Sequence, residues 1–535
     1  MPKALKVTLR VLLVLLAVGL SFGAFVGYTF ASDWLHQRRY VESFTYNPER
    51  LYPPEALQED FAIFRGALEE SHGGLYWYTP KAAFDAAFEA AAEKLDEPMT
   101  ELEFIKVVAP LVDLIRDGHT NLDLPAFYLG KANFSKQGLW PLDLITTKTG
   151  TYVEYDGSDE NVLAPGTEIL KINGREVSVA EDELLTLFST ADGYADGAKI
   201  EALDDPNFFM AMYSYLEGFP ETFDVTYTEL GSGVVKKATL RALPVDRLNK
   251  NFDERYPIED ADAEPTVGVD LRWQGNVPVL EVSSFSEGSF DAYANALESA
   301  FAEIHKRGAE QLVLDLRYNG GGSEGRENLL FTHLSPEPYR KYAEVSVKAQ
   351  RSDYLRYTET PWETWWSNLT GVPFIESDFF YDFSDQPKAE RWWRNESTYS
   401  SHYRIGDVPT SPPFEGQVYL LLSGAVFSGG AEFVTMAEER LPDLITIGQE
   451  TSGAYQGNTS GIYYNLILPN THLGLRLPRI KYRMAIEGDN PPGRGTLPDH
   501  EVWQTQEDIA AGVDTVMAYA LELAQEQTPD VEAAR

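Results

Sequence analysis

The stretch from Val277 to Tyr318 constrains the fold more than any other part of the chain. "VPVLEVSSF" has strand character, "FDAYANALESAFAEIHKRG" is an amphipathic helix closed by Gly308, and "EQLVLDLRY" is a second strand. Strand, helix and strand in that order make a βαβ unit, whose crossover should be right-handed. A third strand, "QVYLLLSG", comes after a long interruption and leads into a helix over "AEFVTMAEERL". This alternation calls for an α/β layer rather than an all-β or all-helical core. At 535 residues the chain exceeds one hydrophobic core, and its length suggests roughly three or four domains.

The expected architecture is therefore multidomain α/β. Residues 40–125 read as a helical N-terminal region, with "AAFDAAFEAAAEKL" its clearest amphipathic segment. Residues 137–245 read as short strands with glycine turns. Within them "APGTEILKINGREV" holds an Asn-Gly hairpin turn, and "FDVTYTEL" and "VVKKATLRAL" are two antiparallel strands joined by "GSG". The acidic stretch "NKNFDERYPIEDADAEPT" reads as a linker. The α/β core is expected over 265–505, interrupted at 336–414 by a segment that holds five of the ten tryptophans. Its length and aromatic content suit a lid or substrate wall, and a packed insertion equally well. Residues 506–535 read as a C-terminal helix and a frayed tail.

Composition removes several function classes. The formal net charge is -39, from 83 acidic and 44 basic residues, with no basic stripe, so the surface repels phosphate backbones and nucleic-acid binding is not expected. Cysteine is absent, which excludes disulfides, thiol catalysis and cysteine-ligated metal sites. From Val11 to Ala31 there is no charge, and Lys3, Lys6 and Arg10 precede the run. Such a segment is long enough to cross a bilayer, with its basic end cytoplasmic. The expectation is a membrane anchor or signal peptide over 1–32, with the rest on the extracytoplasmic, periplasmic side of the cell envelope.

Two loops carry candidate chemistry. "LVLDLRY" runs into "NGGGS", where glycines let the backbone approach a ligand and aim amides at developing negative charge. "AVFSGGAEF" puts Ser428 between a strand and a helix, either as an N-cap or as a nucleophile at a sharp turn. Of the eight histidines, His119 in "IRDGHTNLDL" is the best placed to serve as its base, since it sits in a loop with Asp117 and Thr120 available to orient the ring. A buried lysine can also activate a serine, but downstream of Ser428 the only lysine is Lys481, on a charged alternating strand where solvation is the simpler reading.

"LVLDLRYNGGG", "VFSGGAEF" and "IGQETSGAYQG", in that order, resemble the tail-specific, or C-terminal processing, serine protease family S41. "APGTEILKINGREV" is similar to the PDZ segment of these proteases, and "GTLPDHEV" to their "GI-PD-V" ending. The resemblance implies a crotonase-like core, Ser428 as nucleophile, and backbone oxyanion donors at Gly321 and Gly429. Where the processing enzymes carry a lysine inside "G-K-G", this chain has Gly453, Ala454 and Tyr455. That departure, with "DGHT" at residues 117–120, resembles the tricorn-core and retinoid-binding-protein-like branch, which uses serine, histidine and glutamate. By that resemblance His119 is the base, and a carboxylate before the "PD" ending, Glu487 or its rival Asp489, completes the set.

The resemblance thus implies a serine endopeptidase acting on polypeptides, with no metal or organic cofactor, and the uncharged run over 11–31 implies that it is exported. The PDZ-like region is then expected to capture an extended peptide by strand addition. A catalytically silent, membrane-anchored peptide-binding scaffold is the main alternative, prompted by the missing lysine. A binder of hydrophobic ligands is the second, prompted by the tryptophan-rich insertion.

Overall fold

The computed structural model describes residues 49–123, 138–257, 267–335, 339–349, 352–357, 391–393, 412–488 and 490–526. The apolar run over 11–31, most of the 336–414 insertion, Asp489 and the C-terminal tail lie outside the described residues. Among the described residues no helix is long and apolar enough to cross a membrane.

The N-terminal region is helical, as expected. Strand β1 (Leu51–Tyr52) precedes α1 (Pro54–Ser71) and α2 (Lys81–Ala92), and β2 (Met99–Thr100) pairs antiparallel with β1. Helix α3 (Glu101–Asp113) starts at a reciprocal cap: the Thr100 hydroxyl accepts from the Glu103 amide while the Glu103 carboxylate accepts from the Thr100 amide. The loop after α3 carries "DGHT" into a three-residue strand, β3 (Asn121–Asp123).

Strands β4 (Leu142–Thr147), β5 (Gly150–Asp156), β6 (Glu168–Ile172), β8 (Thr222–Thr228) and β9 (Val235–Arg241) lie in sequence in an antiparallel sheet, with β7 (Arg175–Glu176) paired to β6. The β6–β7 turn is made by Asn173 and Gly174, both at positive φ (50° and 82°), which is the geometry an Asn-Gly hairpin requires. Helices α4 (Val177–Leu185), α5 (Gly197–Asp204) and α6 (Pro206–Glu217) are inserted before β8. The acidic stretch read as a linker begins instead as a helix, α7 (Val245–Arg255). Its polarity hides a docking face: Leu248 is buried, Asn251 Nδ2 donates to the Gly157 carbonyl (2.7 Å), and Arg255 donates to the Asp156 carbonyl (2.6 Å).

The βαβ unit forms as its pattern demands. Strand β10 (Val269–Gln274) pairs antiparallel with β11 (Val277–Val282), then α8 (Phe290–Arg307) crosses to β12 (Gln311–Asp315), which lies parallel to β11. Ser289 caps α8 and Gly308, at φ 65°, ends it. After α9 (Glu324–Thr332) come β13 (Tyr342–Val347) and β14 (Trp392–Trp393), and then β15 (Gln417–Leu422), parallel to β12. Helix α10 (Gly429–Arg440) and β16 (Ile445–Gly448) extend the layer. Strands β17 (Thr459–Ile467) and β18 (Gly474–Met484) form a second sheet with β13, and β19 (His500–Glu501) pairs with β16. Helices α11 (Gln506–Ala511) and α12 (Thr515–Glu526) complete the order.

The parallel sheet is covered on both faces, as its near-continuous apolar strands require. One face packs Leu280, Leu312, Leu314 and Leu420 against Leu297, Phe301 and Phe433 of the helices. On the other, Val279, Val313, Tyr419 and Leu421 meet Val516, Ala520 and Ala524 of α12. A third core joins α1 to α3, the β4–β9 sheet and the ends of β17 and β18. Strand β3 links these bodies, since it pairs with β18 by matching Asn121 to Arg476 and Asp123 to Gly474. That pairing fixes where the "DGHT" loop meets the α/β layer.

Candidate active site

Adjacent parallel strands β12 and β15 end side by side, so the glycine-containing loops at their ends meet. Asn319, fully buried, ties them together. Its Nδ2 donates to the Val282 carbonyl (2.9 Å), its carbonyl accepts from the Phe427 amide (3.2 Å), and its Oδ1 accepts from the Gly321 amide (2.9 Å). The preceding Asp315 and Arg317 are structural: Arg317 bridges Asp315 (2.7 Å) and Asp514 (2.8 Å), anchoring the strand end to the C-terminal segment.

Ser428 precedes the first residue of α10, yet its side chain makes no capping hydrogen bond. Its backbone sits at φ 50°, ψ -125°, a conformation that costs a non-glycine residue about 1–3 kcal/mol and persists where surrounding structure imposes it. The hydroxyl instead meets His119, whose Nε2 lies 3.0 Å from Ser428 Oγ across 309 residues of sequence. The imidazole packs on the Phe427 ring, with centroids 4.6 Å apart. Gly118 is needed beside it, because a Cβ there would lie 2.6 Å from Phe427 Cζ and 2.8 Å from the Ala191 amide nitrogen.

Behind His119 stands a buried hydrogen-bond hub. Asp117 Oδ1 accepts from the His119 amide (3.0 Å) and lies 3.9 Å from His119 Nδ1. Asp117 Oδ2 accepts from the Thr120 hydroxyl (3.1 Å), from the Thr459 hydroxyl and from His72 Nε2 (2.9 Å). The tautomer of His72 is set by its other nitrogen, since Nδ1 accepts from the Gly74 amide (3.0 Å) and Nε2 must then carry the proton. Asp192 faces the same loop: its carboxylate accepts from the amides of Gly118 (2.9 Å) and Ala454 (3.4 Å).

Burial opposes the charge on Asp117, but the hydrogen bond from His72 and the neighbouring imidazoles hold its pKa below the ordinary carboxylate value. Burial, reinforced by the nearby Asp117, pushes Asp192 well above it. Burial also lowers His119 to about 4; Asp117 and Glu432 oppose that shift and Arg476 adds to it. The ring is therefore neutral near pH 7 and able to accept a proton. Asp117, His119 and Asp192 bring one ligand atom each within 4.8 Å of one another, a spacing a metal ion could use. Their carboxylate oxygens are engaged by protein donors, which fits an orienting hub better than a metal centre.

Three of the expected site residues come together: Ser428, His119 and Gly429. The Gly429 amide, first in α10, has no acceptor among the described residues and faces the site as a helix N-terminal donor. Gly321 departs from expectation. Its amide is turned to Asn319 Oδ1, and a Cβ on it would lie 2.6 Å from the Gly429 nitrogen. The next amide, Gly322, also lacks an acceptor among the described residues and lies 3.3 Å from the Cβ position of Gly429.

Glu487 is the second correction. It is exposed, and its own amide donates to Glu439 Oε2 (2.8 Å). Glu439 also holds Gly488 and Tyr455, and it lies on α10 about three turns, or roughly 16 Å, beyond Ser428. The loop is thus pinned to the far end of the helix. Asp489 lies outside the described residues. Among the described residues, the carboxylate within 4 Å of an imidazole nitrogen of His119 belongs to Asp117. Lys481 is half-buried rather than solvated, with its ammonium 3.7 Å from the Trp77 ring centroid.

Sequence reasoning misses Asn319, Asp192, His72 and Thr459. Only Asn319 leaves a trace, as the polar residue that opens the glycine run. The others are scattered along the chain and are joined solely by the tertiary fold.

Residues 276–502 match the family model of Peptidase family S41. No curated protein matches the chain. Among solved structures, mature CPAF complexed with lactacystin is similar in fold, at 13% identity and TM-score 0.56, covering 88% of this chain and 98% of that one. Mature CPAF in a second crystal structure gives 14% identity and TM-score 0.56, covering 88% and 97%. The strand-end serine, its paired glycine loops and the matched segment lead to one assignment: residues 276–502 belong to peptidase family S41, and the chain is a serine-type peptidase.

Proposed function

We propose that the chain is an endopeptidase that cleaves polypeptides by acyl transfer to Ser428, with His119 as general base. The observation that carries this reading is the 3.0 Å approach of His119 Nε2 to Ser428 Oγ, at a serine held in a strained turn. Nε2 accepts the hydroxyl proton as Oγ attacks the substrate carbonyl. The protonated ring then donates to the leaving amine, and water releases the acyl group by the reverse path. The Gly429 amide, with Gly322 beside it, stabilises the tetrahedral oxyanion. One such donor is worth roughly 3–4 kcal/mol in the transition state. Asp117 steadies the imidazolium; the 3.9 Å separation leaves room to tighten when substrate excludes water.

The same reading places the catalytic body outside the cytoplasm, carried there by the uncharged run over 11–31. The β4–β9 sheet, with its antiparallel strands, is the proposed seat of extended-peptide capture.

Covalent labelling tests the nucleophile directly. Full-length protein treated with a fluorophosphonate near neutral pH should yield one adduct, mapped by peptide mass spectrometry to Ser428. No adduct, or an adduct confined to another serine, would overturn the assignment.

A pH profile tests the base. With His119 at about 4 in the folded protein against an ordinary value of 6.5, the acid limb of kcat/KM should have its midpoint near 4. The sign for stability is the same. Between pH 6.5 and 4 the unfolded chain binds the proton that the folded one refuses, so the contribution of neutral His119 is complete above 6.5 and is lost as pH falls toward 4. A limb centred at 6.5 or higher would show the ring to be solvated during turnover.

A further inference from the structure

Arg476 is an exposed cation beside His119 in a chain with 83 acidic and 44 basic residues. It sits on β18 opposite Asn121, two residues after His119, and opposite Asn465 of β17. Its guanidinium carbon lies 3.9 Å from the ring centroid of Tyr463. The Tyr463 ring is in turn 6.3 Å from that of His119. The cation–π contact restrains the guanidinium, and the residue stays exposed. Other arginines of the fold are engaged: Arg65 with Glu69, Arg317 with Asp315 and Asp514, Arg494 with Glu450. Arg476 has no carboxylate within ion-pairing distance among the described residues.

Resting on the serine-peptidase reading, we propose that Arg476 is a specificity residue that receives a carboxylate of the substrate near the bond attacked by Ser428. The chemistry derives from the guanidinium. Its planar fork suits a carboxylate, and a ring stacked on one face removes part of the entropy cost of holding it. An acidic protein surface sharpens the choice, since it repels acidic peptides everywhere except where a cation is presented. Two sources offer this carboxylate: an Asp or Glu side chain, and the free α-carboxylate of a chain end. Binding has a consequence for the base. Neutralising Arg476 removes one of the charges that lower the pKa of His119, so an acidic substrate makes its own general base stronger.

Quenched-fluorescence decapeptides test the proposal with full-length protein. One series carries Asp or Asn at each position within three residues of the cleaved bond. A second carries the bond near a C-terminus that is free or amidated. The wild type should prefer the carboxylate member of one series by roughly 10- to 100-fold in kcat/KM, mainly through KM. Arg476→Gln should bring that ratio close to one, and Arg476→Glu should invert it toward peptides with Lys at the same position. A preference confined to the Asp series identifies a side chain, and one confined to the free-terminus series identifies a chain end. Equal ratios in wild type and Arg476→Gln would overturn the proposal.

Binding by Ser428→Ala, read by fluorescence anisotropy of the same peptides, separates the two claims. Loss of carboxylate preference in Ser428→Ala/Arg476→Gln supports the subsite even where hydrolysis is absent. Its persistence in that double variant refutes the subsite even where hydrolysis is robust. A purely structural role for Arg476 would change affinity for both members of each pair alike.

Discussion

Ser428→Ala and His119→Ala are each expected to lower kcat/KM for peptide hydrolysis by about four to six orders of magnitude, and the double variant to fall no further than the worse single one. The two side chains act as one unit. Without the imidazole, Ser428 Oγ keeps its proton at neutral pH; without Oγ, the base has nothing to activate. Additive losses would mean that the groups work independently and that the 3.0 Å contact is incidental. Asp117→Asn belongs to the same test. It keeps the shape but removes the charge that holds His119, and a loss of about four orders in kcat is expected if Asp117 orients the ring as the equivalent carboxylate does in serine triads. Circular dichroism and a denaturant midpoint must accompany that variant, because Asp117 also accepts from His72, Thr120 and Thr459. Steady-state kinetics on one peptide, near neutral pH and again in mild acid, would compare each of these variants with the wild type.

The legibility of the sequence is uneven for physical reasons. The βαβ unit can be read because its strands are apolar runs between turn signals and its helix carries both a Ser289 cap and a Gly308 stop. Ser428 and His119 can be proposed because both sit in glycine-flanked loops, where backbone freedom is itself a signal. Helix α7 is masked by its charge, since Val245, Leu248 and Phe252 fall at i, i+3 and i+7 and pack into the third core while the residues between them are polar or charged and read as a linker. The carboxylate partner of His119 is misassigned to Glu487 because family resemblance gives order along the chain, whereas the site depends on which end of α10 a loop reaches. Glu439 holds that loop about three turns from the serine. Asp117 is in view as an orienting group, but the burial that makes it effective comes from His72 and Thr459, which approach from the end of α1 and from β17. Gly321 is a register question within a glycine run, and Asn319 settles it by taking the Gly321 amide for itself.

Lys341→Met is expected to destabilise the fold by about 3–5 kcal/mol, the usual loss when one partner of a buried ionic cluster is removed. Lys341 and Glu327 are almost fully buried, and Glu432 nearly so. The ammonium contacts Glu327 Oε1 and lies 2.5 Å from Glu432 Oε2. Glu432 is further held by the Tyr342 hydroxyl (2.7 Å) and by Asn458 Nδ2 (2.8 Å). Methionine fills a similar volume, so the lost stability reports charge rather than a cavity. Two buried carboxylates would then face each other with no cation between them, and that repulsion is part of the loss. Glu327→Gln added to Lys341→Met should recover part of the stability by removing one of the stranded charges. The cluster also bears on activity, because Glu432 lies one turn past Ser428 and Glu327 Oε2 is 2.8 Å from the Cβ position of Gly429. A shift of α10 by even a fraction of an ångström would move the Gly429 amide away from the oxyanion. Lys341→Met should thus lower kcat more than it raises KM, measured below its unfolding midpoint. A urea midpoint unchanged from wild type would show that the charges find other partners, and would remove the cluster from any account of how the nucleophile is held.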